Sequence, residues 1–273
     1  MAARKALITG GGGAIAEEIA IRLDRRGYDL VLADIDEARM AAVASRLSRP
    51  ARMLRADLST REGIAALART IETDHGDLSL LVNNAGFVEP GDADKLAPEI
   101  LDRHIFINLI APMQLASAAA RVMRPRKSGD ILSIVSMGGI IALRGSAAYA
   151  ASKFGLRGFL TSVRSELAPD GIRVMGVFPS GVDTPMLRYE ATHDGSPLNF
   201  VGKVFTAAEV ADACMKALET GKLENYIPYG DSLTSRFMGA FPWLIEKVLP
   251  YFEKSGEKGR ARFLAERGLS GKS

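Results

Sequence analysis

A tyrosine and a lysine stand four residues apart in the segment Tyr149-Ala-Ala-Ser-Lys153. Residues at this spacing share one face of a helix, so a phenol and an ammonium group would lie side by side. Two charges about 4 Å apart, at an effective dielectric constant of about 20, interact by roughly 4 kcal/mol, or about three pKa units. We predict that Lys153 lowers the pKa of Tyr149 toward neutral pH, where the phenol can exchange a proton with an alcohol oxygen. The same spacing also arises in ordinary helix packing.

A glycine run near the start of the chain predicts a phosphate-binding turn. Residues 5–9 read as a short buried strand that leads into Gly10-Gly11-Gly12-Gly13, and a helix-forming stretch follows over 14–26. Glycines permit a tight turn, and backbone N–H groups at the start of the helix can hold a pyrophosphate. The segment therefore has the strand, turn and helix of a dinucleotide site.

An acidic residue, Asp34, ends the second predicted strand about twenty residues after the glycines. A carboxylate at this position accepts hydrogen bonds from an adenosine ribose and repels a 2′-phosphate, and neither Ala33 nor Ile35 is an arginine. We therefore predict NAD as the cofactor, while Arg39, the nearest later cation, leaves NADP open. The alternative role for Asp34 is to cap a helix that begins at Asp36.

Strand and helix patterns alternate along the chain. We predict strands near 5–9, 30–33, 52–55, 80–83, 130–135, 173–178 and 226–228, and helices near 14–26, 36–48, 59–75, 98–124, 146–168 and 206–220. This alternation requires crossover connections and a sheet covered by helices on both faces. The predicted fold is a single-domain, doubly wound α/β Rossmann fold with a mostly parallel, seven-stranded sheet, and ligands bind such sheets at the carboxyl ends of the strands.

The composition is typical of a soluble enzyme. The 273 residues include 35 Lys and Arg against 32 Asp and Glu, an excess too small to indicate a nucleic-acid partner. The one cysteine, Cys214, is predicted to pack in an amphipathic helix, so we expect no disulfide and a reducing cytoplasm. His75, His104 and His193 lack metal-ligand spacing, so we predict no metal site and expect them at the surface or in loops. We find no signal peptide and no apolar run long enough for a transmembrane helix.

Several further blocks, in a fixed order, complete a resemblance to a known family. One predicted strand ends in Asn83-Asn84-Ala85-Gly86, and another ends in Ser136, thirteen residues before Tyr149. The other matching blocks are Thr9-Gly10, Asp57-Leu58, Asn108, Lys153 and Pro179 through Thr184. From about Lys5 to about Pro228, the chain resembles the short-chain dehydrogenase/reductase family in its compact single-domain branch.

The resemblance implies four catalytic residues. In the family, the residue matching Tyr149 is the general acid or base, and the lysine matching Lys153 lowers its pKa and binds the nicotinamide ribose. Ser136 matches the serine that holds and polarises the substrate oxygen. Asn108 matches an asparagine that keeps a water in a proton-relay chain.

The resemblance also implies which residues bind the cofactor and the substrate. Asp57 matches an acid that contacts the adenine, residues 83–86 line the floor near the riboses, and residues 179–184 cover the nicotinamide. The predicted cofactor-binding residues are Thr9, Gly10, Gly12, Gly13, Ala14, Ile15, Asp34, Ile35, Asp57, Leu58, Asn84, Ala85, Gly86, Tyr149, Lys153, Pro179, Gly181, Val182 and Thr184. The predicted substrate-binding residues are Ser136, Met137, Leu143, Tyr149 and Met186.

Three positions depart from the family pattern. Alanine occupies positions 14 and 16, where the family has glycine, so Gly13 is the residue that could approach the phosphate in a shifted register. Ser180 stands where a glycine normally follows Pro179. All three departures lie in segments that are predicted to bind the cofactor.

Two segments carry no motif. Residues 185–205 are predicted to form a substrate lid, whose apolar side chains either line a hydrophobic pocket or pack on the sheet. Residues 230–273, the C-terminal extension of the main domain (1–229), are rich in aromatic side chains and carry eight Lys and Arg against five Asp and Glu. We expect this extension to be helical and to cover the substrate pocket or contact another subunit; contact with a membrane surface is the less favoured alternative.

We therefore predict an oxidoreductase that transfers hydride between a nicotinamide cofactor and a secondary alcohol or ketone. The apolar lid suggests a steroid-like, acyl-derived or terpenoid substrate. The alternatives are a sugar-nucleotide epimerase and a dinucleotide-binding regulator or scaffold that has lost turnover. The protein is expected in the cytoplasm as a homodimer or homotetramer built on helices 98–124 and 146–168.

Overall fold

Seven parallel strands form a single sheet in this computed structural model, which describes residues 4–142 and 144–269. The strands are β1 (Arg4–Thr9), β2 (Tyr28–Asp34), β3 (Arg52–Arg55), β4 (Leu78–Asn83), β5 (Gly129–Ile134), β6 (Ile172–Pro179) and β7 (Glu224–Ile227). Their order in the sheet is β3-β2-β1-β4-β5-β6-β7, and all neighbouring pairs are parallel. The order reverses between β1 and β4, where a doubly wound sheet forms its ligand crevice. The predicted fold class is confirmed.

Ten α-helices are found in the described residues. They are α1 (Ala14–Arg25), α2 (Glu37–Ala44), α3 (Arg61–Asp74), α4 (Pro98–Ile105), α5 (Ala111–Met123), α6 (Ala147–Leu167), α7 (Pro185–Thr192), α8 (Ala207–Thr220), α9 (Tyr229–Ala240) and α10 (Ile245–Glu266). Helices α1, α2 and α8 pack on one face of the sheet, and α3, α5 and α6 pack on the other.

The central strands carry runs of buried apolar residues because both faces of the sheet are covered. In β1, Leu7 packs into the core on one face, whereas Ala6 and Ile8 pack into the core on the other, and all three are fully buried. A strand that is buried on both sides reads as a continuous apolar run rather than an alternating one. The central strands could therefore be located from the sequence.

The predicted helix over 98–124 is not a single regular helix. A π-helical segment, Phe106–Ile110, separates α4 from α5. The whole helical stretch Pro98–Arg126 is long and apolar enough to resemble a membrane span, so the expectation that no such run exists was wrong. Its most apolar window is 44% buried within the structure. In α5, residues such as Leu115 and Ala119 are fully buried in the core, which accounts for the apolar composition.

Two of the histidines expected at the surface or in loops are buried. His104 is fully buried on α4, where its Nε2 accepts a hydrogen bond from the Glu89 N–H at 3.1 Å and its Nδ1 lies 2.8 Å from the Ile100 carbonyl. Burial lowers the pKa of His104, which favours the neutral ring that this bonding requires. His75 is 1% exposed. Cys214 is fully buried on α8, as predicted.

Candidate active site

The glycine turn after β1 is held in place by the end of β4. The side-chain Nδ2 of Asn84 donates to the carbonyls of Thr9 (3.1 Å) and Gly10 (3.2 Å), and the Thr9 hydroxyl accepts from the backbone N–H groups of Asn84 and Ala85. Gly10 has a φ of +63°, and a Cβ there would lie 2.8 Å from the Ala85 Cα. This tight approach requires glycine and brings the ends of both strands to the start of α1.

Asp34 turns toward the glycine turn. Its Oδ2 accepts a hydrogen bond from the Gly12 N–H at 2.9 Å, and its Oδ1 accepts from the Asp36 N–H at 3.1 Å. The N-cap of α2 is Asp36, whose side chain accepts from the Arg39 N–H, so the capping alternative for Asp34 was wrong. The exposed Arg39 lines the same cleft.

The two alanines that depart from the family pattern lie inside α1. Ala16 is fully buried against the sheet, and Ala14 is the first residue of the helix and lines the cleft. Gly13 is the N-cap, and a Cβ on it would lie 3.1 Å from the Gly10 carbonyl oxygen. The tight part of the turn therefore ends at Gly13, and the alanine at position 16 packs in the core.

Ser136, Tyr149 and Lys153 come together where β5 ends and α6 begins. A Cβ on Gly138 would lie 3.1 Å from the Tyr149 ring and 3.4 Å from the Ser136 Oγ, so the two side chains are neighbours, and the Ser136 Oγ accepts from the Gly138 N–H at 3.0 Å. The buried Lys153 donates from Nζ to the Ile134 carbonyl at 3.0 Å, and this nitrogen lies 5.7 Å from the centre of the Tyr149 ring. The phenol, the hydroxyl and the amine therefore form one polar group on the wall of the cleft.

The pKa of Tyr149 lies above its usual value, contrary to our expectation. Burial disfavours the phenolate more than the nearby Ser136 hydroxyl favours it, and the negative charge of Glu190 adds to the rise. Burial also lowers the pKa of Lys153 to about 8, so the amine is a weaker source of positive charge than we assumed. The protein chain alone therefore does not produce the predicted lowering.

Asn108 lies in the π-helical segment and supports the loop after β4. Its Oδ1 accepts from the Phe87 N–H and its Nδ2 donates to the Phe87 carbonyl, both at 2.8 Å. Asn108 is 1% exposed. The side chain thus holds the backbone next to Gly86, which lines the cleft.

Asp57 follows β3 at the adenine end of the predicted site. Its Oδ1 accepts from the Ser59 hydroxyl at 2.6 Å and from the Ser59 N–H at 2.9 Å. The hydrogen bond from this hydroxyl lowers the pKa of Asp57, and burial opposes it. Asp57 is therefore a fixed carboxylate on the cleft wall.

Most of the predicted site residues line one cleft of about 480 Å³ at the carboxyl ends of the strands. The predicted residues on its wall are Gly10, Gly13, Ala14, Ile15, Asp34, Ile35, Asp57, Leu58, Asn84, Ala85, Gly86, Ser136, Tyr149, Lys153, Pro179, Gly181, Val182, Thr184 and Met186. Thr9, Gly12 and Asn108 support the wall without lining it. Leu143 lies outside the described residues.

The lid crosses the cleft as α7 and is tied to both sides. On one side, the Tyr189 hydroxyl donates to the carboxylate of Glu89, which lies in the loop after β4. On the other, the Phe205 N–H donates to the Gly181 carbonyl at 2.8 Å, and the Asp183 N–H donates to the Phe205 carbonyl at 2.7 Å. Residues 185–205 are therefore anchored by hydrogen bonds on both sides of the cleft.

The C-terminal extension packs on the lid. Glycines 256 and 259 of α10 lie so close to the turn Pro197–Phe200 that a Cβ on either would be 2.1 Å from a carbonyl oxygen of that turn. The rings of Phe200 and Phe263 are 5.2 Å apart, and the Arg267 guanidinium pairs with the Asp183 carboxylate at 2.8 Å.

A second cavity, of about 210 Å³, adjoins the cleft beneath α9 and α10. The residues that it shares with the cleft are Ser136, Ser180, Gly181 and Asn199. Its apolar lining comprises Met137, Ile141, Leu198, Val201, Met238, Leu249 and Phe252. In the described residues, the extension thus covers this second cavity.

The sequence analysis missed Glu190 and Asn199, which line the cleft from the lid. Glu190 is 8% exposed, and its Oε2 accepts from the Asn199 side chain at 2.9 Å. Burial raises the pKa of Glu190 to about 7, against the effect of this hydrogen bond. The available signal was the position of Glu190 on the buried face of α7, beside Leu187 and Ala191.

The fold and the cleft agree with comparisons to known proteins. The family model for short chain dehydrogenases matches residues 4–195. The chain belongs to this family. It is thus an oxidoreductase, and proteins of the family bind a nicotinamide dinucleotide and a small-molecule substrate.

Three relatives illustrate the similarity. (+)-Borneol dehydrogenase 1 of Salvia officinalis is 33% identical over 223 residues, which cover 77% of this chain and 84% of the relative. A short-chain dehydrogenase of Sphingobium yanoikuyae, solved in complex with NADPH, has a TM-score of 0.77 at 28% identity and covers 89% of this chain and 95% of its own. The bulky-bulky ketone specific alcohol dehydrogenase of Comamonas testosteroni has a TM-score of 0.74 at 26% identity and covers 88% of this chain and 94% of its own.

Proposed function

We propose that this protein interconverts secondary alcohols and ketones, with Tyr149 exchanging the proton of the reacting oxygen. The observation that carries the proposal is that Ser136, Tyr149 and Lys153 face the same cleft as the glycine turn and Asp34. A bound nicotinamide supplies or accepts the hydride, so the protein has to supply positioning and one titratable group.

The side chains in the cleft can position a substrate and exchange its proton. Ser136 is held by the Gly138 N–H and lies beside Tyr149, so a substrate oxygen can be bound between the two hydroxyl groups. Lys153 sits behind Tyr149, where it can bond a ribose hydroxyl and exchange a proton. Because the pKa of Tyr149 is raised in the protein chain, we propose that the positive charge of an oxidised nicotinamide contributes to ionising the phenol.

The cofactor proposed is NAD. The glycine turn fits a dinucleotide because a Cβ at Gly10 or Gly12 would collide with neighbouring atoms, and because the first residues of α1, Ala14 and Ile15, line the cleft, where a helix N-terminus can bind a phosphate. Asp34 supports NAD by repelling a 2′-phosphate. Arg39 lines the same end of the cleft and supports NADP, so both cofactors belong in the assay.

The substrate proposed is a bulky apolar alcohol or ketone. Its support is the mostly apolar cavity of about 210 Å³ that meets the cleft at Ser136. The printed names of two relatives, a borneol dehydrogenase and a bulky-bulky ketone specific alcohol dehydrogenase, agree with such a substrate. Terpenoid alcohols and diaryl ketones are therefore the first probes.

We further propose a homodimer or homotetramer in the cytoplasm. The surfaces proposed for assembly are those of α4, α5 and α6, and α6 presents the exposed side chain of Phe154. Size-exclusion chromatography with light scattering measures the assembly directly.

The test is to follow the absorbance of reduced nicotinamide with a panel of secondary alcohols and ketones, using NAD and NADP. Tyr149→Phe should lower kcat by roughly a hundredfold to ten-thousandfold, because it removes the proton-exchanging group, while leaving cofactor affinity nearly unchanged. Tyr251→Phe is the control, since Tyr251 is 79% exposed. Equal turnover in the Tyr149 variant and the wild type would remove Tyr149 from its proposed role.

A further inference from the structure

Glu190 is a buried acid that faces the active site and has no part in the mechanism proposed above. It projects from α7 and is only 8% exposed, yet it lines the cleft together with Ser136 and Tyr149. A carboxylate is among the least favourable groups to bury, and its burial needs compensation.

The protein supplies little of that compensation. The Oε2 of Glu190 accepts one hydrogen bond from Asn199, and no ion pair joins Glu190 to a cation within residues 4–142 and 144–269. A nearby acid just before the lid differs, because Asp183 pairs with both Arg188 and Arg267. An acid that served only stability would be expected to have such a partner.

The fold holds Glu190 in a defined position. The Gly195 N–H donates to the Glu190 carbonyl at 2.8 Å, and a Cβ on Gly195 would lie 2.6 Å from the Glu190 Cβ. Asn199 is fixed in turn, because a Cβ on Gly181 would lie 2.1 Å from its carbonyl oxygen and α10 packs over its turn. Groups fixed in this way bind a ligand at a low entropic cost.

The surroundings place Glu190 at the junction of the two spaces that a substrate could fill. Asn199, its partner, lines both the cleft and the second cavity, and Met186 and Leu187, which precede Glu190 on α7, also line the cleft. Ser180 also lines both spaces, and its Oγ is buried without a hydrogen-bond partner in the described residues. A mostly apolar site therefore contains a second polar point in addition to the catalytic group.

We propose that Glu190, held by Asn199, binds a hydrogen-bond donor of the substrate, either a hydroxyl or a protonated amine, at a point away from the reacting carbon. The inference rests on the proposed function and adds a requirement to it. The substrate would be an apolar molecule with two polar ends, one oxidised or reduced at Tyr149 and one recognised by the lid.

The two donor types make different demands on Glu190. A hydroxyl can be bound by the carboxylate or by the carboxylic acid, whereas an ammonium group is bound well only by the carboxylate. With the pKa of Glu190 at about 7, both forms are present near neutral pH. Comparing the two donors therefore shows which of them the site accepts.

The experiment measures kcat/KM for matched methyl ketones whose far end is a methyl, a hydroxymethyl or an aminomethyl group, with linkers of increasing length. In the wild type, we expect one donor-bearing series to exceed the methyl series by roughly tenfold to a hundredfold at one linker length, as a hydrogen bond to a charged group allows. Glu190→Leu should abolish this preference, and Glu190→Gln should abolish it for the amine and reduce it for the hydroxyl.

Two further variants separate recognition from folding. Asn199→Ala keeps the Glu190 carboxylate but removes the hydrogen bond that holds it. This variant should therefore weaken the preference for donor-bearing ketones only in part. Glu166→Gln changes an exposed glutamate on α6 and should leave the preference unchanged. Thermal unfolding of each variant shows whether it is folded.

The outcomes distinguish the two proposals. A wild type that reduces none of the ketones contradicts the proposed function itself. Turnover of the methyl series with no preference for either donor at any linker length overturns the role of Glu190 alone. A preference that survives in Glu190→Leu would also overturn it.

Discussion

The dinucleotide side and the substrate side of the cleft are built differently. On the dinucleotide side, the turn from Thr9 to Gly13 is held by Asn84 and by Asp34, all at strand ends of one sheet. On the substrate side, the lid depends on packing against α10, far along the chain. The dinucleotide side requires particular residue types at particular positions, whereas the substrate side requires complementary packing between the lid and α10. Changes on either side should therefore have separate effects.

The largest expected effect is on the dinucleotide side. Gly10→Ala combines a strained φ of +63° with a Cβ 2.8 Å from Ala85, which together cost about 4 kcal/mol. We expect cofactor Kd, measured by nicotinamide fluorescence, to rise roughly a thousandfold. Gly27→Ala is the control, because Gly27 has a φ of +82° but no atom within 4 Å of an added Cβ. Normal cofactor affinity in the Gly10 variant would show that the turn is not a tight cradle.

The next effect concerns the stability of the substrate side and its dependence on pH. Burial raises the pKa of Glu190 from 4.5 to about 7, so the folded protein binds more protons than the unfolded chain between these values. The carboxyl group therefore stabilises the fold fully below about pH 4.5, and this contribution is lost as the pH rises through about 7. The shift corresponds to about 3 kcal/mol.

Glu190→Gln should remove this pH dependence. We expect the variant to gain about 3 kcal/mol relative to the wild type between about pH 5 and about pH 8, as measured by urea unfolding. Glu166→Gln, at an exposed site, should show no such gain. A constant difference between Glu190→Gln and the wild type over this range would mean that Glu190 is ionised in the folded protein at all these pH values.

A smaller effect is expected where α10 meets the lid. Replacing both Gly256 and Gly259 with alanine places methyl groups 2.1 Å from carbonyl oxygens of Pro197 and Phe200, so α10 must move away. We expect the ketone KM to rise about tenfold, or about 1.4 kcal/mol, with little change in cofactor Kd. Gly230→Ala, in open space on α9, is the control. If cofactor Kd rose together with KM, the two sides would not be separate.

The smallest effect concerns the ion pair between the extension and the lid. Arg267 pairs with Asp183 at 2.8 Å, and the side chains are 26% and 18% exposed. Arg267→Gln should cost about 0.5 to 1 kcal/mol in thermal unfolding and raise the ketone KM about twofold, with less effect at high salt. Arg262→Gln, an exposed position on α10, should change neither value. An equal loss at high and low salt would point to packing on Phe263 instead of charge.

The dinucleotide side could be predicted from the sequence because its requirements are local. A glycine turn needs glycine at the residue where φ is positive, and a ribose-binding acid needs to end the next strand, so Gly10 and Asp34 were found by position alone. The apolar runs located the central strands, because these are buried on both faces.

The substrate side could not be predicted to the same depth. The closeness of Gly256 to Pro197 joins residues far apart in the chain, and no local pattern records it. Glu190 shares a helix face with Leu187 and Ala191, which could have indicated its burial, but the pairing with Asn199 depends on the packing of α7 against a later turn. The raised pKa of Tyr149 was missed for a related reason. The spacing of residues along a helix predicts which side chains are neighbours, but it does not predict how far burial removes them from solvent.

The dependence of the lid on α10 has a consequence for how the protein is made. During synthesis, the glycine turn and the strands of the sheet leave the ribosome before Gly256 and Gly259, which pack against the Pro197–Phe200 turn. Because domains fold from the N-terminal side during synthesis, the nascent chain can assemble its dinucleotide cradle first. Selectivity for the molecule to be oxidised or reduced is then acquired later, when α10 docks.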